Sequence, residues 1–157
     1  MIKQNILKEL LNKVEIEIKK NTQIYETTKY LVQNGDLKSD GKYDTRATEA
    51  NYLADGQKQR LTELEQELEL LTGINIKKSN KEVSIGSLIT LEINNLSKRY
   101  FVAPTAGGTM LKMDDEVILV ISVFSPIGDA AIGLPKGESF EIELNGSSKV
   151  YKILKVE

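Results

Sequence analysis

The first half of the chain carries apolar residues at helical spacing, three or four positions apart. Between residue 2 and about residue 33 this stripe consists of Leu7, Leu11, Val14, Ile18, Tyr25 and Val32. Between about Tyr43 and Leu71 a second stripe changes from alanine to leucine: Tyr43, Ala47, Ala50, Ala54, Leu61, Leu64, Leu68 and Leu71. Such spacing is typical of amphipathic helices. It predicts two long helices that pack as an antiparallel coiled-coil hairpin, about 45 Å long at ~1.5 Å per residue.

A polar stretch with three aspartates joins the two predicted helices. It reads N-G-D-L-K-S-D-G-K-Y-D from Asn34 to Asp44. Asn34-Gly35 is a stop signal, because glycine accepts the left-handed conformation that follows a helix. Aspartate beside glycine is most often a simple turn former, and the residues alone favour that interpretation. In an antiparallel hairpin, however, the same aspartates lie at the far end of a rod.

The periodicity changes after Gly73. Residues 75–82 are polar and lysine-rich and are predicted to be a linker between a hairpin at 1–74 and a second domain at 83–157. That domain contains strand-like segments at 83–93, 99–103, 117–120, 139–144 and 150–156, and Asn145-Gly146 is a strong hairpin signal between the last two. The stretch S-P-I-G-D-A-A-I-G predicts one short helix with Pro126 in its first turn. The fold class is therefore α+β, with about five strands and one short helix after the hairpin.

Composition excludes several kinds of chemistry. The 157 residues contain no cysteine and no histidine, so thiolate and imidazole catalysis or metal binding are excluded within this chain. A formal net charge of −2 argues against a strongly basic nucleic-acid binder. No apolar run approaches the roughly 20 residues of a membrane span, and the start lacks a signal-peptide core. We therefore expect a cytoplasmic protein that does not bind a membrane.

Two stretches resemble the bacterial Gre family of transcript-cleavage factors. One is G-D-L-K-S-D-G-K-Y at 35–43, which is similar to the family's acidic tip. The other is I-S-V-F-S-P-I-G-D-A-A-I-G at 121–133, which is similar to the family's I-S-x-x-S-P-I-A-R-A-L-I-G. The terminal segment from Phe140 also resembles the family's last two strands. The resemblance implies an FKBP-like fold without isomerase function for the second domain.

The resemblance also implies a mechanism and a partner. Gre factors bind RNA polymerase at its secondary channel and insert the coiled coil, whose tip carboxylates help to hold a second Mg²⁺ for cleavage of backtracked RNA. The chain would have no cofactor of its own, since the Mg²⁺ is shared with the polymerase, and would meet nucleic acid only through the elongation complex. It would act as an accessory factor rather than an enzyme, and as a monomer.

The implied site residues follow from the matching positions. Three aspartates would act on the polymerase Mg²⁺: Asp36, Asp40 and Asp44. Four residues would support the tip: Gly35, Leu37, Gly41 and Tyr43. Ser125, Pro126 and Ile127 would contact the polymerase, although Ser125-Pro126 is also a simple helix start.

Two departures from the family pattern leave the activity open. Ser39 and Lys42 stand where the family carries glutamates in the tip. One alternative is therefore a regulator or inhibitor that occupies the secondary channel without stimulating cleavage. A second alternative is a structural module that dimerises through the helical stripe. An independent enzyme is the least favoured interpretation.

Overall fold

Two long helices precede a six-stranded sheet in this chain. The structure is a computed structural model that describes residues 2–34, 46–77 and 81–157. Its elements in chain order are α1 (Ile2–Asn34), α2 (Arg46–Thr72), β1 (Leu88–Ile93), β2 (Leu96–Ala103), β3 (Met110–Met113), β4 (Glu116–Ser122), α3 (Pro126–Ala131), β5 (Ser139–Leu144) and β6 (Ser147–Val156). The predicted α+β class is confirmed, with an antiparallel helical hairpin followed by a small FKBP-like β-rich domain. No described helix combines the length and the apolar character needed to cross a membrane.

The chain divides into two compact units. One consists of Asn12–Glu69, and the other of Met1–Leu11 together with Leu70–Glu157. Both ends of the hairpin sequence thus belong to the unit that contains the sheet. Ile74 is buried within that unit, and its Cγ2 lies so close to Gly86 that a Cβ added at Gly86 would approach it to 2.9 Å. The predicted domain limits, 1–74, 75–82 and 83–157, stay a prediction.

Helix α1 buries a stripe whose first turns differ from the prediction. Ile6, Leu10 and Val14 are almost fully buried, and Ile18 and Tyr25 continue the stripe as half-buried residues. The predicted members Leu7 and Leu11 are only half-buried. The predicted stripe thus lies at the edge of the most buried positions in the first turns, because an apolar pair such as Ile6-Leu7 fits either of two neighbouring stripes.

Helix α2 follows the predicted stripe more closely. Ala50, Leu64 and Leu71 are buried, and Ala54 and Leu61 are half-buried. The helix begins at Arg46 and ends at Thr72, so the predicted end before Gly73 is confirmed. The predicted start at Tyr43 and the stripe residue Tyr43 lie outside the described residues.

The sheet has the strand order β3-β4-β2-β1-β6-β5. Neighbouring strands are antiparallel, except that β2 and β4 run parallel. β2 and β4 can be parallel because they are not joined directly: β3 lies at the edge of the sheet, and β4 runs antiparallel to it between β3 and β2. The register pairs Tyr100 of β2 with Leu119 of β4. It also pairs Phe140 of β5 with Tyr151 of β6, and the rings of Phe140 and Tyr151 stack at a centroid distance of 5.4 Å.

Each face of the sheet has its own buried layer. On one face the core is formed by Val83, Ile89, Leu91, Tyr100, Val102, Ile121, Ala131, Ile142, Tyr151 and Ile153, with α3 packed against it. On the other face, residues of the opposite alternation are buried, including Leu88, Phe101 and Ile118. Ile6 of α1 and Leu71 of α2 are also fully buried and belong to the same compact unit.

The described part of the chain corrects the strand count. The sequence predicts about five strands, whereas 81–157 contains six. The missed strand, β3, is only four residues long and reads M-L-K-M, which is too short to show a clear alternation. The predicted hairpin between β5 and β6 is confirmed: Asn145 and Gly146 both have positive φ, 52° and 76°, as a two-residue hairpin turn requires.

Candidate functional site

The predicted acidic tip lies between α1 and α2. Helix α1 ends at Asn34 and α2 begins at Arg46, so the tip falls on residues 35–45. All seven tip residues lie outside the described residues: Asp36, Asp40, Asp44, Gly35, Leu37, Gly41 and Tyr43. Their predicted roles stay predictions. Among the residues that the structure does describe, no cluster of three acidic side chains is placed to hold a metal ion.

The second predicted site is the start of α3, where Ser125 acts as the N-cap. Its backbone is extended, with φ −75° and ψ 157°, and its Oγ accepts a hydrogen bond from the N–H of Gly128 at 3.1 Å. The same hydroxyl donates to the carbonyl oxygen of Ser122 at 2.6 Å. Pro126 occupies the first helical turn, where its missing N–H costs no hydrogen bond. The predicted short helix is therefore confirmed.

The chain makes a close turn just before this helix. The N–H of Ser125 donates to the carbonyl of Ser122 at 3.0 Å, and the N–H of Phe124 donates to Oγ of Ser122 at 3.2 Å. Gly128 passes so close that a Cβ there would lie 1.9 Å from the same carbonyl oxygen. In this backbone only glycine fits without a shift. The turn has a consequence for Phe124, whose side chain is left 85% exposed.

An apolar pocket lies beside the N-terminus of α3. It has a volume of about 190 Å³ and is open to solvent. Its lining is contributed by β4, α3, the loop before β3 and the end of β5: Gly107, Gly108, Leu119, Val120, Ile121, Ser122, Ser125, Pro126, Ile127 and Leu144. The two serine hydroxyls are engaged in the hydrogen bonds of the turn. The pocket therefore offers burial to an apolar side chain rather than hydrogen bonds to a polar ligand.

Exposed apolar side chains surround the pocket. Met110 is 67% exposed and pairs across the strands with the pocket residue Leu119. Val117 lies two residues before Leu119 on the same face of β4 and is 56% exposed, and Leu144 is 50% exposed. Together with Phe124, the exposed Pro126 and the half-buried Leu119, these residues are called here the apolar patch: Met110, Val117, Leu119, Phe124, Pro126 and Leu144. Leu119, Pro126 and Leu144 line the pocket, and exposed apolar residues next to a pocket are candidates for an interaction site.

The three predicted contact residues differ in what they can offer a partner. Pro126 is exposed, whereas Ile127 is half-buried and packs against the core of its sheet face. The hydroxyl of Ser125 serves the helix cap. Their role in binding stays a prediction, but the structure adds Phe124, Met110 and Val117 to the same region. Sequence reasoning missed Met110 because β3 was missed, and the signal for Phe124 was an aromatic residue directly before a Ser-Pro helix start.

Charged side chains in the sheet domain meet away from the apolar patch. Arg99 pairs with Glu116 and Glu157, and Lys155 also pairs with Glu157. Burial raises the pKa of Glu157, but the hydrogen bond from Lys155 and the charge of Arg99 outweigh burial, so this pKa lies below its ordinary value. Burial lowers the pKa of Lys3, with an opposing effect of Glu157. Burial raises the pKa of Tyr100, helped by Tyr151. The ion pairs of Arg99 and Glu157 connect β2, β4 and the end of β6, whereas Tyr100 is the cross-strand neighbour of the pocket residue Leu119.

Comparison with known proteins identifies the family. Residues 78–157, just over half of the chain, match the model of the C-terminal domain of the transcription elongation factor GreA/GreB. The chain belongs to the GreA/GreB family of transcription elongation factors.

The similarity to curated relatives extends over the hairpin as well. The chain is 29% identical over 152 residues to the transcription elongation factor GreA of Alkaliphilus oremlandii, covering 96% of this chain and 91% of that protein. It is 28% identical over 156 residues to the GreA of Streptococcus gordonii, covering 99% and 91%. A crystal structure of GreA factor homolog 1 (Gfh1) of Thermus thermophilus aligns over 94% of both chains with 17% identity and a TM-score of 0.40, a score that adds nothing to the assignment.

Proposed function

We propose that this transcription elongation factor binds RNA polymerase at its secondary channel and promotes the polymerase's own cleavage of backtracked RNA. The hairpin would enter the channel and bring the aspartates of the tip, Asp36, Asp40 and Asp44, to the active centre. The chain would act as an accessory factor, because the nucleic acid and the reacting phosphodiester belong to the polymerase. The observation that carries the proposal is the position of these three aspartates between two long helices in a member of this family.

The length of the helices supports delivery over a distance. Helix α1 has 33 residues and α2 has 27, so at ~1.5 Å per residue they are about 50 and 40 Å long. A sheet domain of this size needs far less helix for its cover. Only the ends of the two helices belong to the compact unit of the sheet, and residues 12–69 form a unit of their own. Most of the hairpin is therefore available for a role outside the sheet domain.

The chemistry of the tip suits Mg²⁺. Carboxylate oxygens are the hard ligands that Mg²⁺ prefers, and one or two of them suffice when other ligands are already present. Asp36 occupies the position of the aspartate in the family's G-D-L and is the first candidate for this contact. A second ion at the active centre would supply charge stabilisation for phosphodiester hydrolysis. The residues of this chain would contribute oxygen ligands and orient water.

The apolar patch supports a docking role for the sheet domain. Phe124 is exposed beside a pocket of about 190 Å³, and exposed aromatic residues near a pocket are common anchors of protein interfaces. The predicted contact residues Ser125, Pro126 and Ile127 line the same pocket. We propose that this patch holds the factor on the polymerase while the hairpin reaches inward.

The proposal is tested with purified protein and stalled, backtracked elongation complexes. We expect the wild-type chain to accelerate RNA cleavage and Asp36→Ala to reduce that acceleration at least about tenfold, with unchanged binding to the polymerase. Asp55→Ala is the matched control, because Asp55 is an exposed acid of the same hairpin outside the tip. Absence of both binding and any effect on cleavage or elongation would contradict the proposal.

A second candidate is a regulator that occupies the channel without cleavage. The observation that favours it is the pair Ser39 and Lys42, which leaves two acidic positions of the family pattern without a carboxylate. Such a factor would bind the polymerase, compete with a cleavage-competent factor and leave backtracked RNA intact. Strong cleavage by the wild-type chain would exclude it. The remaining alternative, dimerisation through the helical stripe, predicts twice the monomer mass in dilute solution.

A further inference from the structure

The hairpin is unevenly packed along its length. Within the compact unit Asn12–Glu69, we call residues 12–20 and 58–69 the proximal half and residues 21–34 and 46–57 the distal half. Among the described apolar residues of this unit, Val14 and Leu64 are buried in the proximal half, and Ala50 is buried in the distal half. The other inward apolar residues of the distal half, Tyr25, Leu31, Val32 and Ala54, are only half-buried. The described part of the distal half therefore has no large buried apolar side chain to hold it closed.

Polar residues occupy the stripe where the two halves meet. In α1 the half-buried positions after Ile18 are Asn21 and Thr22, and in α2 the position before Leu61 is Gln57. The Oε1 atom of Gln57 is buried and has no hydrogen-bond partner among the described residues. A buried acceptor without a partner opposes the closed hairpin, since it loses its water without compensation.

The backbone of α2 is also less stable where the two halves meet. Gly56 stands in the interior of α2, and a Cβ added there would meet nothing within 4 Å, so no packing constraint requires glycine. Glycine in a helix interior favours the open chain through its backbone entropy.

These observations share one consequence. We propose that the distal half of the hairpin opens as a separate cooperative unit, while the proximal half stays closed, and that Gly56 and Gln57 set the boundary in α2. Regions with few buried apolar contacts open at a lower free energy than the rest of a protein. The inference concerns the free protein and does not depend on the proposed function.

The opening would matter for any partner that receives the closed hairpin. A partner that binds only the closed form has an apparent affinity reduced by the fraction of molecules that are closed. If the hairpin enters a polymerase channel, the surrounding walls would replace the missing cover of the distal half. Changes at Gly56 and Gln57 would then tune entry without touching the aspartates of the tip.

Hydrogen exchange of the full chain, read at single amides by NMR or by mass spectrometry, tests the inference directly. We expect amides at 24–34 and 50–57 to show protection at least about tenfold lower than amides at 14–20 and 61–69. Gly56→Ala should raise protection of the distal half about fivefold, because alanine is the better helix former. Adding Gln57→Leu should raise it further, because leucine removes the unpaired acceptor.

Gln59→Ala is the matched control, an exposed polar residue of the same helix three positions from Gly56. It should leave the difference between the halves unchanged. Equal protection in both halves would overturn the inference. So would a doubly substituted Gly56→Ala, Gln57→Leu chain whose distal amides exchange as fast as in the wild type. A rise of equal size in both halves would show one cooperative hairpin and would also overturn it.

Discussion

Arg99 donates a hydrogen bond from Nη2 to Oε2 of Glu157 at 2.9 Å. This bond joins β2 to the residue that follows β6, although β1 lies between these two strands in the sheet. Arg99 also pairs with Glu116 of β4, and Nζ of Lys155 lies 2.9 Å from Oε1 of Glu157. Four side chains thus connect three strands that are distant in sequence, and they do so on partly exposed surface.

The first prediction concerns stability in acid. The pKa of Glu157 is lowered in the folded chain because Lys155 and Arg99 together outweigh the effect of burial. The charged carboxylate therefore stabilises the fold at pH values above its unfolded pKa of about 4.3. This contribution is lost as the pH falls from there through the lower folded pKa. We expect Glu157→Gln to lower the melting temperature at pH 7 but to have little effect near pH 3.

The control for this prediction is Glu138→Gln, which removes an exposed acid of the same domain. It should change the melting temperature little at either pH, as is usual for exposed surface residues. Thermal unfolding followed by circular dichroism at both pH values gives the comparison. A loss of equal size for Glu157→Gln at pH 7 and pH 3 would show that the lowered pKa does not contribute.

The second prediction concerns the cap of α3. Ser125→Ala removes the acceptor of the Gly128 N–H and the donor to the Ser122 carbonyl. Loss of an N-cap side chain costs about 1 kcal/mol of stability, and urea unfolding measures it. Ser97→Ala in β2 is the matched control at an exposed serine. Equal stability of the two variants would mean that the cap contributes nothing.

The third prediction compares two leucines of α2. Leu64 is 2% exposed and Leu70 is 52% exposed. Leu64→Ala removes buried apolar area and should destabilise the chain by about 2–5 kcal/mol, whereas Leu70→Ala should cost less than about 0.5 kcal/mol. Thermal unfolding of both variants is measured by the loss of helical circular-dichroism signal on heating. Similar midpoints for the two would contradict the buried position of Leu64.

The sequence predicted the regular parts of the fold for identifiable reasons. Long helices with apolar residues every three or four positions give a strong signal, and Asn145-Gly146 has one turn type that suits it. The signal failed where local chemistry is ambiguous. The burial of Ile6 rather than Leu7 depends on tertiary packing that the local spacing does not specify, and β3 is too short to show a period.

The candidate site was predictable only in part. The Ser-Pro helix start was visible in sequence because proline is favoured in the first helical turn. The pocket beside it was not, because Gly107, Leu119 and Leu144 are far apart in sequence and come from a loop and from two strands, β4 and β5, that are not neighbours in the sheet. The unpaired Oε1 of Gln57 was equally hidden, since a glutamine at helical spacing is usually solvated and burial depends on the facing helix.

The last prediction concerns the apolar patch. Phe124 is 85% exposed and lies between pocket-lining residues in sequence, so it is the side chain of the patch with most area to bury on a partner. An aspartate at this position would place a charge in an interface that offers no compensating group from the pocket. We expect Phe124→Asp to weaken binding to RNA polymerase by at least about tenfold and to leave the fold intact.

Leu96→Asp provides the control, because Leu96 is an apolar residue of the same domain with 63% exposure at the start of β2, outside the patch. Binding is measured with fluorescently labelled chain and core polymerase, and circular dichroism confirms that both variants are folded. If the patch docks the factor on the polymerase, Phe124→Asp reduces cleavage at low factor concentration. Cleavage recovers at high factor concentration, because the tip is unchanged. If both aspartate variants bind as the wild type does, the polymerase contacts another surface of the sheet domain.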